Sequence, residues 1–285
     1  MRLIVLPKGL GVGLSGWLVP GLLVLVLGGC TIAKPRTDDP WEGFNRKMYA
    51  FNDAADKAVI RPVAAGYRKV TSPNVRRVVS NFYDNIKMPI TIANNVLQGD
   101  PKRAAKSTGR FVINTTLGFA GLFDPASEMQ LPLDETDFGV TLAKWGLPEG
   151  PYLVLPFVGS TTVRDVWRLP VDQYFDPLSW YANEHDFQYN AEYLPNLFYL
   201  VTLRARGIEA ESLLEGVYDP YVFYRDAYRQ RRIYDIYDGT PPDDVIEQLQ
   251  GATDDADVDK LLDEQHQYEK QQQKQQKDQP QPQHG

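Results

Sequence analysis

One cysteine, Cys30, in 285 residues leaves no internal disulfide framework and no multi-cysteine zinc site. Histidine is almost as scarce: His266 and His284 lie in a polar C-terminal stretch, and His185 sits in Asn183-Glu184-His185-Asp186, which reads as an exposed loop. No Gly-x-Ser-x-Gly elbow, His-Glu-x-x-His pair or phosphate loop occurs, so an enzyme is not expected and no cofactor is called for. Asp255-x-Asp257-x-Asp259 opens like a calcium loop, but Lys260 replaces its glycine and His266 its closing glutamate, so no metal is expected. Basic charge is also short, with 30 Lys+Arg against 37 Asp+Glu. A chain without a basic surplus is not built to neutralise phosphates along a nucleic acid.

What the chain has is unevenly placed. Residues 1–29 carry only Arg2 and Lys8, residues 239–285 carry 11 acidic and 4 basic side chains, and 31 of the 33 aromatics fall in residues 30–238. Three regions follow: a leader over 1–29, a near-neutral, aromatic-rich body over 30–238, and an acidic tail over 239–285. In the tail, ten of the 21 residues from Gln265 to Gly285 are Gln, a composition too poor in apolar side chains for a core, so disorder is the expectation.

In the leader, 21 uncharged residues from Gly9 to Gly29 end on Leu27-Gly28-Gly29-Cys30. That length suits a membrane-crossing helix, but the glycines, Pro20 and the small residues at the end favour an export signal. With the cysteine immediately after those small residues, the segment resembles a bacterial lipoprotein signal, which implies acylation of Cys30. Each buried methylene of such an anchor is worth roughly 0.8 kcal/mol of membrane attachment. Thr31, in place of an aspartate, implies onward sorting to the outer membrane of a Gram-negative bacterium.

In the body, five Asp-Pro pairs (Asp39-Pro40, Asp100-Pro101, Asp124-Pro125, Asp176-Pro177 and Asp219-Pro220) are candidate helix starts, since Asp caps free amides and Pro suits the first turn; the alternative for each is a turn. After Asp39, Glu42 has capping-box spacing. Phe44, Met48, Phe51, Ala55 and Val59 then recur at helical intervals opposite Asn45, Arg46, Asn52 and Asp56, up to Arg61-Pro62. A second helical pattern, Val75 to Ile86, is expected to break at Pro89. A third follows Asp100, with Lys102, Arg103, Lys106 and Arg110 assigned largely to its polar face. Asn190–Val217 reads as helix with its true start at Pro195 and a weak point at Gly207. Tyr152–Leu155 is the best strand candidate. The fold class expected is mostly α, with long Pro/Gly-rich connections.

Two segments have competing readings. Leu117–Phe123, charge-free and glycine-rich, is either a close-packed connection or a segment facing lipid or an apolar passage. The helix after Asp219 sets Tyr221, Tyr224 and Tyr228 beside Arg225, Arg229, Arg231 and Arg232. It lies at lipid headgroups, where Arg meets phosphate, or it packs its tyrosines on the body and turns its arginines to water.

Taken in order, Asp39-Pro40-Trp41-Glu42-Gly43-Phe44-Asn45-Arg46, Arg61-Pro62-Val63, Asn81-Phe82, Leu97-Gln98-Gly99-Asp100, Arg110-Phe111, Trp145-Gly146, Gly150-Pro151-Tyr152, Leu155-Pro156-Phe157 and Asp219-Pro220-Tyr221 resemble the MlaA (VacJ) family of outer-membrane lipoproteins. The resemblance implies a ring-like arrangement of amphipathic helices in the inner leaflet around a channel. Phospholipids strayed into the outer leaflet pass through it to a soluble periplasmic carrier feeding an inner-membrane ABC transporter, in association with porin trimers. It leaves the tail without a role. Phe44, Asn45, Gly118, Phe119 and Gly121 are carried over as residues influencing opening, with Arg225 and Arg229 as headgroup contacts. Replacing Gly118 and Gly121 by Val is expected to impair passage in a folded protein. Two rivals are a structural or adaptor lipoprotein that scaffolds outer-membrane proteins without moving lipid, and a lipid hydrolase built on His185.

Overall fold

The computed structural model describes residues 39–184, 194–214 and 217–247. The leader, Cys30, His185 and the tail beyond 247 lie outside the described residues. The elements include α1 Glu42–Ala55, α2 Arg61–Val70, α3 Pro73–Ile86, α4 Met88–Leu97, α5 Pro101–Thr116, α6 Pro125–Glu128 and α7 Phe138–Lys144. The hairpin β1 Tyr152–Leu155 and β2 Gly159–Thr162 precedes α8 Arg168–Phe175, α9 Pro177–Glu184, α10 Leu194–Gly207 and α11 Pro220–Ile236. The fold is mostly α-helical, as the sequence indicates.

Four of the five Asp-Pro pairs open helices. Asp100, Asp124 and Asp219 accept from backbone amides in the first turns of α5, α6 and α11, and Asp176 Oδ1 accepts from Leu178 N at 3.1 Å at the start of α9. The fifth, Asp39-Pro40, is a turn, and Trp41 takes the cap position of α1. The Asp39–Glu42 capping box does not form, because Glu42 Oε1 is held by Arg46 Nε at 2.7 Å one turn on.

One expected helix end proves to be a continuation. At Arg61-Pro62 the chain passes from α1 through a π-turn, Asp56–Ile60, straight into α2. The wider turn suits Pro62, which has no amide to donate and would clash in a regular helical interior. The break expected at Pro89 does occur: α3 ends at Ile86, and Pro89 sits in the first turn of the new helix α4, where its missing N–H costs nothing. In α10, Gly207 ends the α-helix and a 3-10 segment, Ile208–Leu214, follows.

Packing contacts run from α1 to β1, across the antiparallel hairpin to β2, then to α11, α7, α4, α3, α10 and α2, which leads back to α1 through the π-turn. Apolar clusters inside this circuit are small: Val140, Ala143 and Ile236 form one, Tyr152, Val154 and Tyr221 another. Among the described residues 21 polar or charged side chains are buried against 16 hydrophobic ones, the reverse of a water-soluble core.

The inversion is plain on α1. Asn45, at 0 % exposure, donates from Nδ2 to the Tyr152 carbonyl (3.0 Å) and to Asp39 Oδ1 (2.9 Å), while its Oδ1 accepts from Val154 N (2.9 Å). Two turns on, Asn52 repeats the clasp with the Leu155 carbonyl (2.8 Å) and Phe157 N (2.7 Å). Phe44, Phe51 and Val59, on the apolar stripe, stand exposed. On α5 the same happens to Arg110, which is buried and not on a solvated face: it reaches the Leu131 carbonyl, Ser127 Oγ and Asp124 Oδ2.

Candidate functional site

A cavity of about 510 Å³ lies between α4, the segment leading into α7, α8, α10 and α11. Its wall carries four cations, Lys87, Arg168, Arg231 and Arg232, and five carboxylates, Glu135, Asp137, Asp172, Asp176 and Asp235. On α8 the spacing of Arg168 and Asp172 puts both on one helical face, and Asp176 follows as the extended residue just past the helix end. Asp137 caps α7 through Val140 N (2.9 Å) and at the same time takes a two-pronged ion pair from Arg232 at 2.7 and 2.9 Å. Arg232 Nε goes on to Asp165 Oδ2 (3.1 Å), which also accepts from Tyr228 OH (2.8 Å). At Gly139 a Cβ would displace the ends of the Arg232 and Asp165 side chains from this network.

The electrostatics follow from these partners. Burial pushes the Asp165 carboxyl up, but Arg232 and Arg164 outweigh it and hold the group at about 2. Asp137 is likewise below its usual range, the cost of burial being overcome by Arg232. Asp172 goes the other way: burial, reinforced by the charge of Asp137, lifts it to about 6 despite the hydrogen bond from Asn94 Nδ2 (2.8 Å). Desolvation by the cavity walls, reinforced by Asp84, raises Glu135 although its side chain stands exposed, and burial raises Asp235. Asn94 relays this polar wall inward, accepting from Thr141 Oγ1 at 2.8 Å, and Thr141 accepts in turn from Gln98 Nε2 at 3.1 Å. No group of metal-binding side chains occurs among the described residues.

A second cavity, about 500 Å³, opens between α1, the hairpin, α10 and α11 and is walled by Tyr49, Val154, Leu203, Phe223 and Tyr224. At its edge Arg204 holds Asp56 at 2.7 and 2.8 Å and also pairs with Glu211.

The residues singled out from sequence fall in three separate places. Phe44 stands on the outer face of α1 and Asn45 on its inner face, clasping β1. Gly118, Phe119 and Gly121 belong to a loop bent by three consecutive left-handed residues, Phe119 (φ 52°), Ala120 (φ 58°) and Gly121 (φ 87°). Bonds from Ala120 N to Thr115 O (2.9 Å), Gly121 N to Asn114 O (2.8 Å) and Phe123 N to Gly118 O (2.9 Å) hold that strained path. The loop is thus closely packed on its inner side, where a Cβ at Gly121 would overlap Asn85 and one at Gly118 would overlap backbone oxygens. Its outer side presents Leu117, Phe119 (72 % exposed) and Phe123. Valine at Gly118 or Gly121 would therefore force this loop or its neighbours to shift.

On α11, Arg225, Arg229 and Arg232 are buried together with Tyr221, and Tyr224 and Tyr234 face outward. The reading that turns the arginines to water does not hold for these three: they point into the body, and Arg229 lies 5.6 Å from the centre of the Tyr152 ring. The cavity residues Glu135, Asp137, Arg168 and Asp172 were not found from sequence. The one available signal was the four-residue spacing of Arg168 and Asp172, which has no meaning until the helix face is known to point inward.

No described helix is long and apolar enough to cross a membrane. Comparison with known proteins adds the following. The intermembrane phospholipid transport system lipoprotein MlaA of Escherichia coli strain K12 is 37 % identical over 198 residues, covering 68 % of this chain and 76 % of the relative. Its namesake in Haemophilus influenzae is 30 % identical over 225 residues, covering 74 % and 87 %. A solved structure, reported on the structural basis for maintenance of bacterial outer membrane lipid asymmetry, superposes with a TM-score of 0.60 at 34 % identity over 70 % of this chain and 99 % of its own. The sequence profile of MlaA lipoproteins matches residues 37–235, and the chain belongs to the MlaA lipoprotein family.

Proposed function

We propose that this protein is a non-enzymatic lipoprotein of the outer membrane that removes mislocalised phospholipids from the outer leaflet and so maintains outer-membrane lipid asymmetry. The observation that carries the reading is the inverted body: buried Asn45, Arg110, Asp165 and Arg232 inside, and exposed Phe44, Phe51, Val63, Phe119, Phe123 and Trp180 outside. An exterior of this kind is stable in acyl chains, where apolar side chains need no cover and polar groups must pair internally.

In the geometry we assign, Cys30 carries the lipid anchor and the body is a ring lying in the inner leaflet, a closure supported by the packing circuit from α1 round to α2. The charged cavity gives a headgroup partners in place of water, while the aromatic second cavity offers apolar surface to a chain. Phe44 and Asn45 on α1 and the Gly118–Phe123 loop flank this body and influence opening; Arg225 and Arg229 bring positive charge to its interior. Lipid is handed to a soluble periplasmic carrier that feeds an inner-membrane ABC transporter, and porin trimers hold the protein in place. The scaffold alternative has no use for a cavity lined by nine ionisable groups.

In a deletion strain, outer-leaflet phospholipid labelled from outside should accumulate and a complementing copy of the gene should clear it. Unchanged surface phospholipid, with the wild-type protein present and anchored, would refute the function.

A further inference from the structure

The charged cavity contains two ionic groups that make no direct ion pair with a described residue, Arg168, which faces the charges of Asp137 and Asp172 at longer range, and Glu135, which faces those of Arg206 and Arg231. Of its cations, Lys87 is 2.6 Å from Asp176, Arg231 is 2.8 Å from Asp235, and Arg232 is shared by Asp137 and Asp165. Among the described residues Arg168 makes no hydrogen bond or ion pair, and its Nε is shielded from solvent with no acceptor. Of the carboxylates, Asp137, Asp176 and Asp235 are taken by those cations, and Asp172 Oδ1 accepts from Asn94 Nδ2 and from Phe138 N at 3.1 Å. Glu135 accepts nothing from the described residues.

Arg168 is half-buried, and its shielded Nε–H has lost water without gaining an acceptor, a poor resting arrangement unless an anion visits the cavity. Its planar fork suits phosphate oxygens. Charge balance narrows the ligand further. A wall of four cations and five carboxylates does not favour a purely anionic guest, but it suits one that carries both signs. The volume, about 510 Å³, admits a group of headgroup size.

We propose that this cavity is a headgroup-reading site for a phosphodiester bearing a primary ammonium, the chemistry of an ethanolamine phospholipid, with Arg168 holding the phosphate and Glu135 receiving the ammonium. The assignment rests on the phospholipid-transport reading above. It separates two tasks: Arg168 recognises what all glycerophospholipids share, and Glu135 recognises what distinguishes ethanolamine from glycerol headgroups.

The test uses the full-length protein in mild detergent, titrated calorimetrically with dihexanoyl phosphatidylethanolamine, dihexanoyl phosphatidylglycerol and inorganic phosphate. Wild type should bind the ethanolamine lipid more tightly than the glycerol lipid. Arg168→Gln should weaken both by about tenfold or more, the size of a lost charge-assisted contact, and Glu135→Gln should weaken the ethanolamine lipid alone, bringing the ratio towards one. Neither residue makes a hydrogen bond or direct ion pair with a described residue, so both variants should stay folded, which far-UV circular dichroism checks. Wild-type affinities in Arg168→Gln, or an unchanged ratio in Glu135→Gln, would overturn the proposal. Inorganic phosphate binding as tightly as either lipid and lost in Arg168→Gln would reassign the site to free phosphate. Surface labelling in the deletion strain keeps the two levels apart: a wild-type copy that clears surface phospholipid while the purified protein shows no headgroup preference sinks this inference alone, and a copy that clears none sinks the function on which it rests.

Discussion

Truncating Asn45 to alanine should destabilise the body more than any other single truncation on α1. The side chain is fully buried and serves both the Tyr152 carbonyl and the Val154 amide, at 3.0 and 2.9 Å. Removing it strands one backbone donor and one acceptor away from water, at about 1–3 kcal/mol each. A loss of about 2–6 kcal/mol, at about 2–4 °C per kcal/mol for a body of this size, lowers the melting temperature by about 5–20 °C. Asn52→Ala is the internal control. It removes the same kind of clasp, but at the end of β1 beside exposed Phe157, where water can replace the missing partners. There the cost should stay near 1 kcal/mol. Melting full-length wild type, Asn45→Ala and Asn52→Ala side by side in one detergent, followed by far-UV circular dichroism, measures both. If Asn45→Ala melts within about 2 °C of wild type, or no lower than Asn52→Ala, the claim that buried asparagines fasten α1 to the hairpin is wrong.

Asp172 gives a prediction in pH. Its carboxyl is raised from 3.8 to about 6, so the folded state binds this proton more tightly than the unfolded chain does, and the group's contribution to stability falls as pH climbs from about 4 to about 6. Asp172→Asn, which keeps an acceptor for Asn94 and Phe138 N, should raise the melting temperature at pH 7, by about 1–3 kcal/mol of stability, and leave it unchanged at pH 4; a drop at pH 7 would refute the assignment. Gly121→Ala forces a Cβ onto Asn85 at a φ of 87° and should destabilise by more than about 1 kcal/mol, read by urea unfolding, while a neutral result would mean the loop is not held as described. In a Cys30→Ala background, Phe119→Asp should reduce flotation of the body with phospholipid vesicles; undiminished flotation would remove the loop from the membrane contact.

How far the sequence could be read depended on which quantities are local. Asp-Pro pairs announce four helix starts because capping needs only the aspartate and the next three residues. Tyr152–Leu155 shows itself as a strand by its apolar side chains, whereas its partner Gly159–Thr162 has none and exists through pairing alone. Periodicity separates the two faces of α1 but does not say which one points inward, and in this protein the asparagine face does. The same ambiguity hid Arg110, assigned to a solvated face though it is buried among Asp124, Ser127 and the Leu131 carbonyl. The cavity groups were hardest to foresee, because Glu135, Arg168 and Arg232 come from three different segments and meet only after the helices close around them.

The inverted interior has a calorimetric consequence. Heat capacity rises on unfolding chiefly because apolar surface becomes hydrated, and exposure of polar surface lowers it. Here much of the large apolar surface is already outside, and what unfolding releases is weighted towards asparagine, arginine and threonine. The heat-capacity increment per residue should therefore lie below the usual value of about 12–15 cal/mol/K. A flatter stability curve follows, and with it a body whose fold weakens less on cooling than that of a soluble protein of the same length.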